Sequence, residues 1–194
     1  MDTAMLYRIS AFWARCEIAL AAVLAATITG LILLNVVTRS AHMAIYWIDE
    51  AAITAMIWMT FLAGAAAVHR RSGVAVTLVF DTLSPGVARW WRLGLDAVTA
   101  GFAAAMIWFC LLWFDPFALY ATGFDIQAFQ GETFNFIYAE PTVTLGVPKV
   151  WVWSIMIVFT FGLTLHAASN LVASLCVLAG GADPQADADA ETRP

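Results

Sequence analysis

Four uncharged apolar runs organise the chain. Ile18–Val37 is 20 residues long and lies between Glu17 and Thr38-Arg39. At about 1.5 Å per residue, a helix of that length crosses a hydrocarbon layer about 30 Å thick. Ala51–Val68 and Ala97–Phe114 add 18 residues each, the former ending at His69-Arg70-Arg71 and the latter flanked by Asp96 and Asp115. Val150–Leu178 has 29, more than an upright span needs, which predicts tilt or last turns that leave the bilayer. The pattern predicts an all-α integral membrane protein with four transmembrane helices. A cleaved signal peptide does not fit the first run, because signal cores are about 7–15 residues and lead to a small-residue cleavage site. This run is longer, follows 17 residues and is closed by Arg39, so it is expected to be a retained helix.

Aromatic and basic residues refine the picture. Trp13, Trp47, Trp90, Trp91, Trp113, Trp151 and Trp153 fall near span ends, where an amphipathic ring suits the headgroup region, and only Trp58 and Trp108 lie deep. Arg8, Arg15, Arg70, Arg71, Arg89, Arg92 and Arg193 collect on one side, against Arg39 and Lys149 on the other. The positive-inside rule then places both termini and the 69–96 connection in the cytoplasm, with 39–50 and 115–149 outside. Within 72–95, Val74, Val76, Val79, Phe80 and Leu83 interleave with Thr77 and Asp81 before the Pro85-Gly86 break, which predicts one or two short interfacial helices between spans two and three. The 115–149 segment is long and rich in Phe, Tyr and Gly, a length that in a structureless loop is uncommon and often functional. Residues 1–180 read as one four-helix membrane domain and 181–194 as an acidic, disordered tail.

Composition narrows the function. Hydrophobic residues are 62% and charged residues 12% of the chain, where soluble domains carry about 25% charged. That leaves too little polar surface for a soluble enzyme, and the apolar content excludes a disordered chain. A net charge of -5 offers no basic footprint for nucleic acid. Cys16, Cys110 and Cys176 form no CxxC pair and read as small buried hydrophobes. The sequence holds no HExxH, GxSxG or P-loop pattern, and Ser154 and His166 are too far apart on one helix to form a nucleophile–base pair. His42, His69 and His166 fall in different regions, so no facing pair for a haem is expected, and no cofactor or metal is implied. The four runs contain no Asp, Glu, Lys or Arg, so the chain alone is not expected to carry a solute, and His166 reads as a hydrogen-bonded packing residue.

Two features point to association. Ala22, Ala26 and Gly30 in span one, and Ala97, Gly101 and Ala105 in span three, repeat every four positions; Ala55, Met59, Ala63 and Ala67 run beside Gly64 in span two. Such ridges let helices approach closely in lipid, on each other or on a partner. Trp47-Ile-Asp-Glu50 puts two carboxylates at the start of span two, where they suit the helix dipole, and Arg39 is close enough in sequence to pair with Asp49 or Glu50. These residues either cap and anchor the helix or form a partner site.

The order of these pieces resembles the DctQ-type small permease subunit of tripartite ATP-independent periplasmic (TRAP) transporters. The resemblance is carried by Asn35-Val-Val-Thr-Arg39, Trp47-Ile-Asp-Glu50, the stretch Trp58–Ala67 with Gly64 running into His69-Arg70-Arg71, Asp81-Thr-Leu-Ser-Pro85, and Leu145-Gly-Val-Pro148 before Trp151 and Trp153. The chain departs from the family pattern at Ser40, at Ser72-Gly73-Val74 and in the longer 115–144 segment. The resemblance implies a multi-pass subunit of a bacterial inner membrane that scaffolds a large multispan permease and helps dock a periplasmic solute-binding protein. It further implies ion-coupled uptake, usually with sodium, often of an organic acid. On this reading Arg39, Trp47, Asp49, Glu50, Gly64, Arg70, Arg71 and Pro148 are the candidate interface residues, and 115–144 is a candidate contact patch for the binding protein. A free-standing tetraspan scaffold or assembly factor is the alternative, with a membrane-anchored redox subunit behind it.

Overall fold

The computed structural model of the chain describes residues 3–71 and 83–181. Seven helices occur among them: α1 (Thr3–Ser40), α2 (Ile48–Arg70), α3 (Pro85–Phe114), α4 (Pro116–Ala121), α5 (Ile126–Thr133), α6 (Lys149–Trp153) and α7 (Ile155–Leu178). Four stretches are long and apolar enough to cross a membrane, Thr3–Ser40, Ile48–Arg70, Gly86–Ala121 and Lys149–Leu178. No strand forms among the described residues, and the single β-bridge pairs Pro141 with Pro148.

Three helices differ from the apolar runs that predict them. α1 begins fifteen residues ahead of Ile18, because Tyr7, Ser10, Ala14, Glu17 and Ala21 repeat at alternating steps of three and four and are all buried. α3 begins at Pro85, a residue suited to a first helical turn, so Arg89-Trp90-Trp91-Arg92 extends span three and does not form a separate interfacial helix. The rest of the expected interfacial segment, residues 72–82, and the tail from 182 lie outside the described residues. The long fourth run is broken at Ser154 rather than continuous. There Ser154 Oγ donates to the Trp151 carbonyl at 2.8 Å, and the Trp58 indole donates to the Val152 carbonyl at 2.9 Å. A carbonyl diverted to a side chain is a recognised cause of such breaks, and it explains why Trp58 sits deep.

The chain divides into two compact units, Met1–Ile18 with Ala63–Met106 and Thr160–Pro194, and Ala19–Leu62 with Ile107–Phe159. In the second, Ala21, Leu62 and Ile155 form the apolar centre, with Trp58, Phe61 and Val158 against it. Phe61 meets Phe159 edge to face at 5.1 Å. The first unit has a different interior: Ala14, Ala65, Ala66, Ala103, Ala167 and Ala173 are buried among Ser10, Glu17, His69, Asp96, His166, Asn170 and Ser174. Small side chains let backbones approach, and polar groups then bond between helices. The ridges expected in spans one and three do not serve this packing. Ala22, Ala26, Gly30, Ala97 and Gly101 are exposed, and a methyl added at Gly30 or Gly101 meets nothing within 4 Å.

Candidate functional site

Three polar clusters organise the two units. The first joins the end of α1 to the start of α2. A tight turn at 41–47 returns the chain, so Arg39 Nη2 lies 2.7 Å from Asp49 Oδ2. Asn35 completes the group: its amide nitrogen donates to Asp49 Oδ1 at 2.6 Å and its oxygen accepts from Arg39 Nε at 3.0 Å. Of the two expected pairings, Arg39–Asp49 forms. Both side chains are more than half exposed, 61% and 53%, so the pair is an outward-facing one. Trp47, just before α2, is also exposed.

Glu50 turns the other way, toward the chain entering α6. Its Oε1 accepts from the Val143 N–H at 2.9 Å, and its Oε2 accepts from the N–H groups of Thr144 and Leu145 and from the Thr144 hydroxyl at 2.5–2.7 Å. Four donors converge on one carboxylate, the arrangement that anchors an anion at backbone amides. The turn it holds is closed by Thr142 N–H to the Val147 carbonyl at 2.8 Å and by Lys149 N–H to the Glu140 carbonyl at 2.8 Å. Pro148 is half-buried at the start of α6, and Lys149 pairs with Glu140 at 2.5 Å. Glu50→Ala removes the acceptor for three backbone N–H groups at once. Amide hydrogen exchange of residues 143–145 is expected to accelerate at least tenfold, with the spanning helices unchanged.

The remainder of 115–149 is ordered by the same logic. Asp115, in the left-handed region at φ 38°, caps α4, and Asp125 caps α5 through the N–H groups of Gln127 and Ala128. Phe129 is fully buried, edge to face with Tyr138 at 5.3 Å. Tyr138 Oη donates to the Phe114 carbonyl at 2.6 Å and Asn135 Nδ2 to the Trp113 carbonyl at 2.8 Å, so this segment caps the last carbonyls of α3. Burial, and after it the Asp115 carboxylate, push the Tyr138 phenol above its usual range. Phe117, Tyr120, Phe124 and Phe134 remain exposed.

The second cluster lies where α2 ends. Arg70 is exposed, whereas Arg71 takes a left-handed conformation at φ 48°. That places its guanidinium 2.7 Å from Asp96 Oδ2 and 2.7 Å from the Asn170 carbonyl. Ser174 Oγ donates to the same Asp96 oxygen, and Asn170 Nδ2 donates to the Val68 carbonyl at 2.8 Å. The Arg71 and Asp96 side chains are only 18% and 8% exposed, so this is a buried ion pair. Gly64, earlier on α2, is exposed.

The third cluster overturns the expectation that the histidines stay apart. His69 and His166 lie with ring centroids 5.3 Å apart, and the Ser10 hydroxyl is 2.8 Å from the Nδ1 of each. His166 Nε2 is 3.0 Å from Glu17 Oε2. Ser10 and His166 have no exposed surface, Glu17 is 2% and His69 7% exposed, and the Tyr7 ring packs tilted against His69 with centroids 5.2 Å apart. None of these residues except His166 stands out in the apolar runs. The signal for them is the step of three and four that joins Tyr7, Ser10, Ala14 and Glu17, and a second series in steps of three and four, Thr160, Leu163, His166, Asn170 and Ser174, on α7. Among the described residues no group of three or more His, Cys, Asp or Glu is arranged to hold a metal ion.

The family model for "Tripartite ATP-independent periplasmic transporters, DctQ component" matches residues 28–177. No curated protein and no solved structure matches the chain.

Proposed function

Because the chain belongs to the DctQ component family of tripartite ATP-independent periplasmic transporters, we propose that it is the small membrane subunit that scaffolds a large multispan permease in a bacterial inner membrane. Both termini lie in the cytoplasm on this reading, and the Arg39–Asp49 and Glu50 end faces the periplasm, where the solute-binding protein docks. Uptake is coupled to an ion, sodium being the usual one in the resemblance, and the solute is an organic acid. The observation that carries the accessory role is the engagement of charged side chains within the chain itself. Arg39 is held by Asp49, Glu50 by the 143–145 turn, and Arg71 by Asp96. The outer faces of α1 and α3 are meanwhile apolar, with Val23, Leu33, Val98 and Phe102 all more than half exposed. A subunit that holds its own charges and presents apolar helix faces is built to be packed against in lipid.

Mild detergent extraction of the tagged chain from its host, with mass spectrometry of the companions, tests the reading. Recovery of a stoichiometric multispan permease is expected; repeated recovery of the chain alone favours the free-standing tetraspan scaffold. The exposed Arg39–Asp49 pair contributes at most about 1 kcal/mol to folding. Arg39→Ala is therefore expected to leave the chain folded while lowering permease recovery or uptake. Wild-type recovery and wild-type uptake together remove Arg39 from the proposed interface.

A further inference from the structure

The exposed rings of the 115–149 segment are placed by bonds to the end of a span. The uncharged run Ala97–Phe114 is 18 residues, about 27 Å as a helix, so Phe114 stands at the edge of the hydrocarbon layer. Asn135 Nδ2 and Tyr138 Oη donate to the carbonyls of Trp113 and Phe114, at 2.8 and 2.6 Å, which holds residues 134–138 at that level. Phe134 and Phe136 flank Asn135, and both are exposed. Pro116 opens α4 after a single intervening residue, Asp115, and Phe117, Tyr120 and Phe124 follow at steps of three and four, all exposed. They continue the exposed apolar surface of Phe109, Leu112 and Trp113 on α3.

Two of these rings sit where a side chain is costly. The Phe124 and Phe134 N–H groups close the ends of α4 and α5 on the Leu119 and Gln130 carbonyls, at 3.0 Å each. Both residues are left-handed, at φ 64° and 55°. Glycine or asparagine is the usual choice there, and a bulky residue is an outlier. Packing inside the chain does not offset the strain. Phe134 is 80% exposed, and Phe124, 66% exposed, meets the exposed Tyr120 ring edge to face at 6.1 Å. Strain of this kind persists where function uses the residue. Recognition by charge is little served: residues 115–148 contain no Lys or Arg, Asp115 and Asp125 cap helices, and Glu140 pairs with Lys149. The surface offers aromatic rings at the depth of the headgroup layer, where such rings are enriched.

We propose that Phe117, Tyr120, Phe124, Phe134 and Phe136 lie in the headgroup–acyl boundary of the leaflet where α3 ends, so that residues 115–138 form a phospholipid-binding collar and not a docking patch for a soluble protein. Lipid is favoured over a soluble partner by the depth of the rings and by the lack of charge, since protein docking draws on complementary charged groups. The buried part of the segment serves the same end. Phe129, fully buried against Tyr138, holds the platform that carries the exposed rings. The inference needs only that α3 crosses the membrane, and it stands or falls separately from assembly with a permease.

The test is the depth of spin labels on the full chain in nanodiscs of phosphatidylethanolamine and phosphatidylglycerol. Cys16, Cys110 and Cys176 are replaced by alanine, and a nitroxide is attached in turn at Tyr120→Cys, Phe124→Cys and Phe134→Cys. Glu132→Cys, at an exposed position of α5, is the water-facing reference. Oxygen concentrates in lipid, whereas a nickel chelate stays in water. The ratio of oxygen to nickel relaxation is expected to be severalfold higher at 120, 124 and 134 than at 132. Nickel access at 124 and 134 equal to that at 132 overturns the proposal. Shielding of those sites from both relaxants also overturns it, because a protein partner or a second copy then takes the place of lipid. Should the cysteine-free chain fail to fold, the wild-type chain is irradiated in nanodiscs that carry a phosphatidylcholine with a diazirine at the head of its acyl chain. Label on residues 116–138 is expected, and label confined to the four spans overturns the proposal.

Discussion

Asp96→Ala is expected to destabilise the isolated chain by about 3–5 kcal/mol, the range found when one partner of a buried ion pair is removed. The size follows from what remains. The Arg71 guanidinium, 18% exposed and fixed by its left-handed backbone, bonds the Asn170 carbonyl and the Ser174 hydroxyl and would lose the Asp96 carboxylate. Side-chain hydrogen bonds between helices in lipid contribute only about 0.6 kcal/mol on average and about 1.7 at most. Ser174→Ala, which removes one donor to the same carboxylate, therefore serves as the scale: its loss should be several-fold smaller. The double variant Asp96→Leu with Arg71→Met should recover most of the Asp96→Ala loss, because two apolar residues leave no charge without a partner. Reversible unfolding of the purified chain in mixed micelles measures all four proteins. A loss at Asp96→Ala no larger than that at Ser174→Ala would show that the pair is not a buried charge pair in the membrane.

Gly162→Ala is expected to destabilise, where Gly30→Ala and Gly101→Ala stabilise. Replacing glycine by alanine inside a helix is favourable by up to about 1 kcal/mol on propensity alone. At Gly30 and Gly101 the new methyl meets nothing within 4 Å, so only that gain remains. At Gly162 the methyl would fall on Glu17 Oε1 and 3.0 Å from the Trp13 indole nitrogen. Glu17 Oε1 must then move within a buried site, which strains the contact of the same carboxylate with His166; losing that contact costs about 2–5 kcal/mol. The net sign is destabilising. Adding Glu17→Ala to Gly162→Ala makes room for the methyl, so the second substitution should cost less in the Gly162→Ala background than in the wild type. The same unfolding measurement, applied to the three alanine variants, decides by sign; a stabilised Gly162→Ala would mean that Glu17 does not lie against α7.

The four spans are legible because a bilayer imposes a length and forbids charge, and both constraints are written directly into uncharged runs such as Ala51–Val68. The Arg39–Asp49 pair is legible too, since a short turn leaves those residues few other partners. The buried polar interior is harder to see. A search for charge-free runs stops at Glu17, and so treats Ser10 and Glu17 as a polar leader although their step of three and four continues into Ala21. Sorting histidines by distance from a run's end separates His69 from His166, whereas helices of different length and start bring them level. The Ser154 break is invisible in hydropathy, because its cause is a hydrogen bond to the Val152 carbonyl from Trp58, 94 positions before it. Glu50 reads as a helix cap, and nothing local shows that its carboxylate also binds the 143–145 turn.

The polar face of α7 also bears on how the protein is made. The fourth span carries Thr160, His166, Ser169, Asn170 and Ser174 on its buried side. It is also the last of these four spans to be synthesised. Its partners, Ser10 and Glu17 on α1, the Val68 carbonyl on α2 and Asp96 on α3, all belong to helices made before it. Docking of its polar face onto these earlier helices is therefore expected to assist the membrane integration of α7. A chain arrested before residue 155 would leave Ser10, Glu17 and Asp96 without their α7 partners.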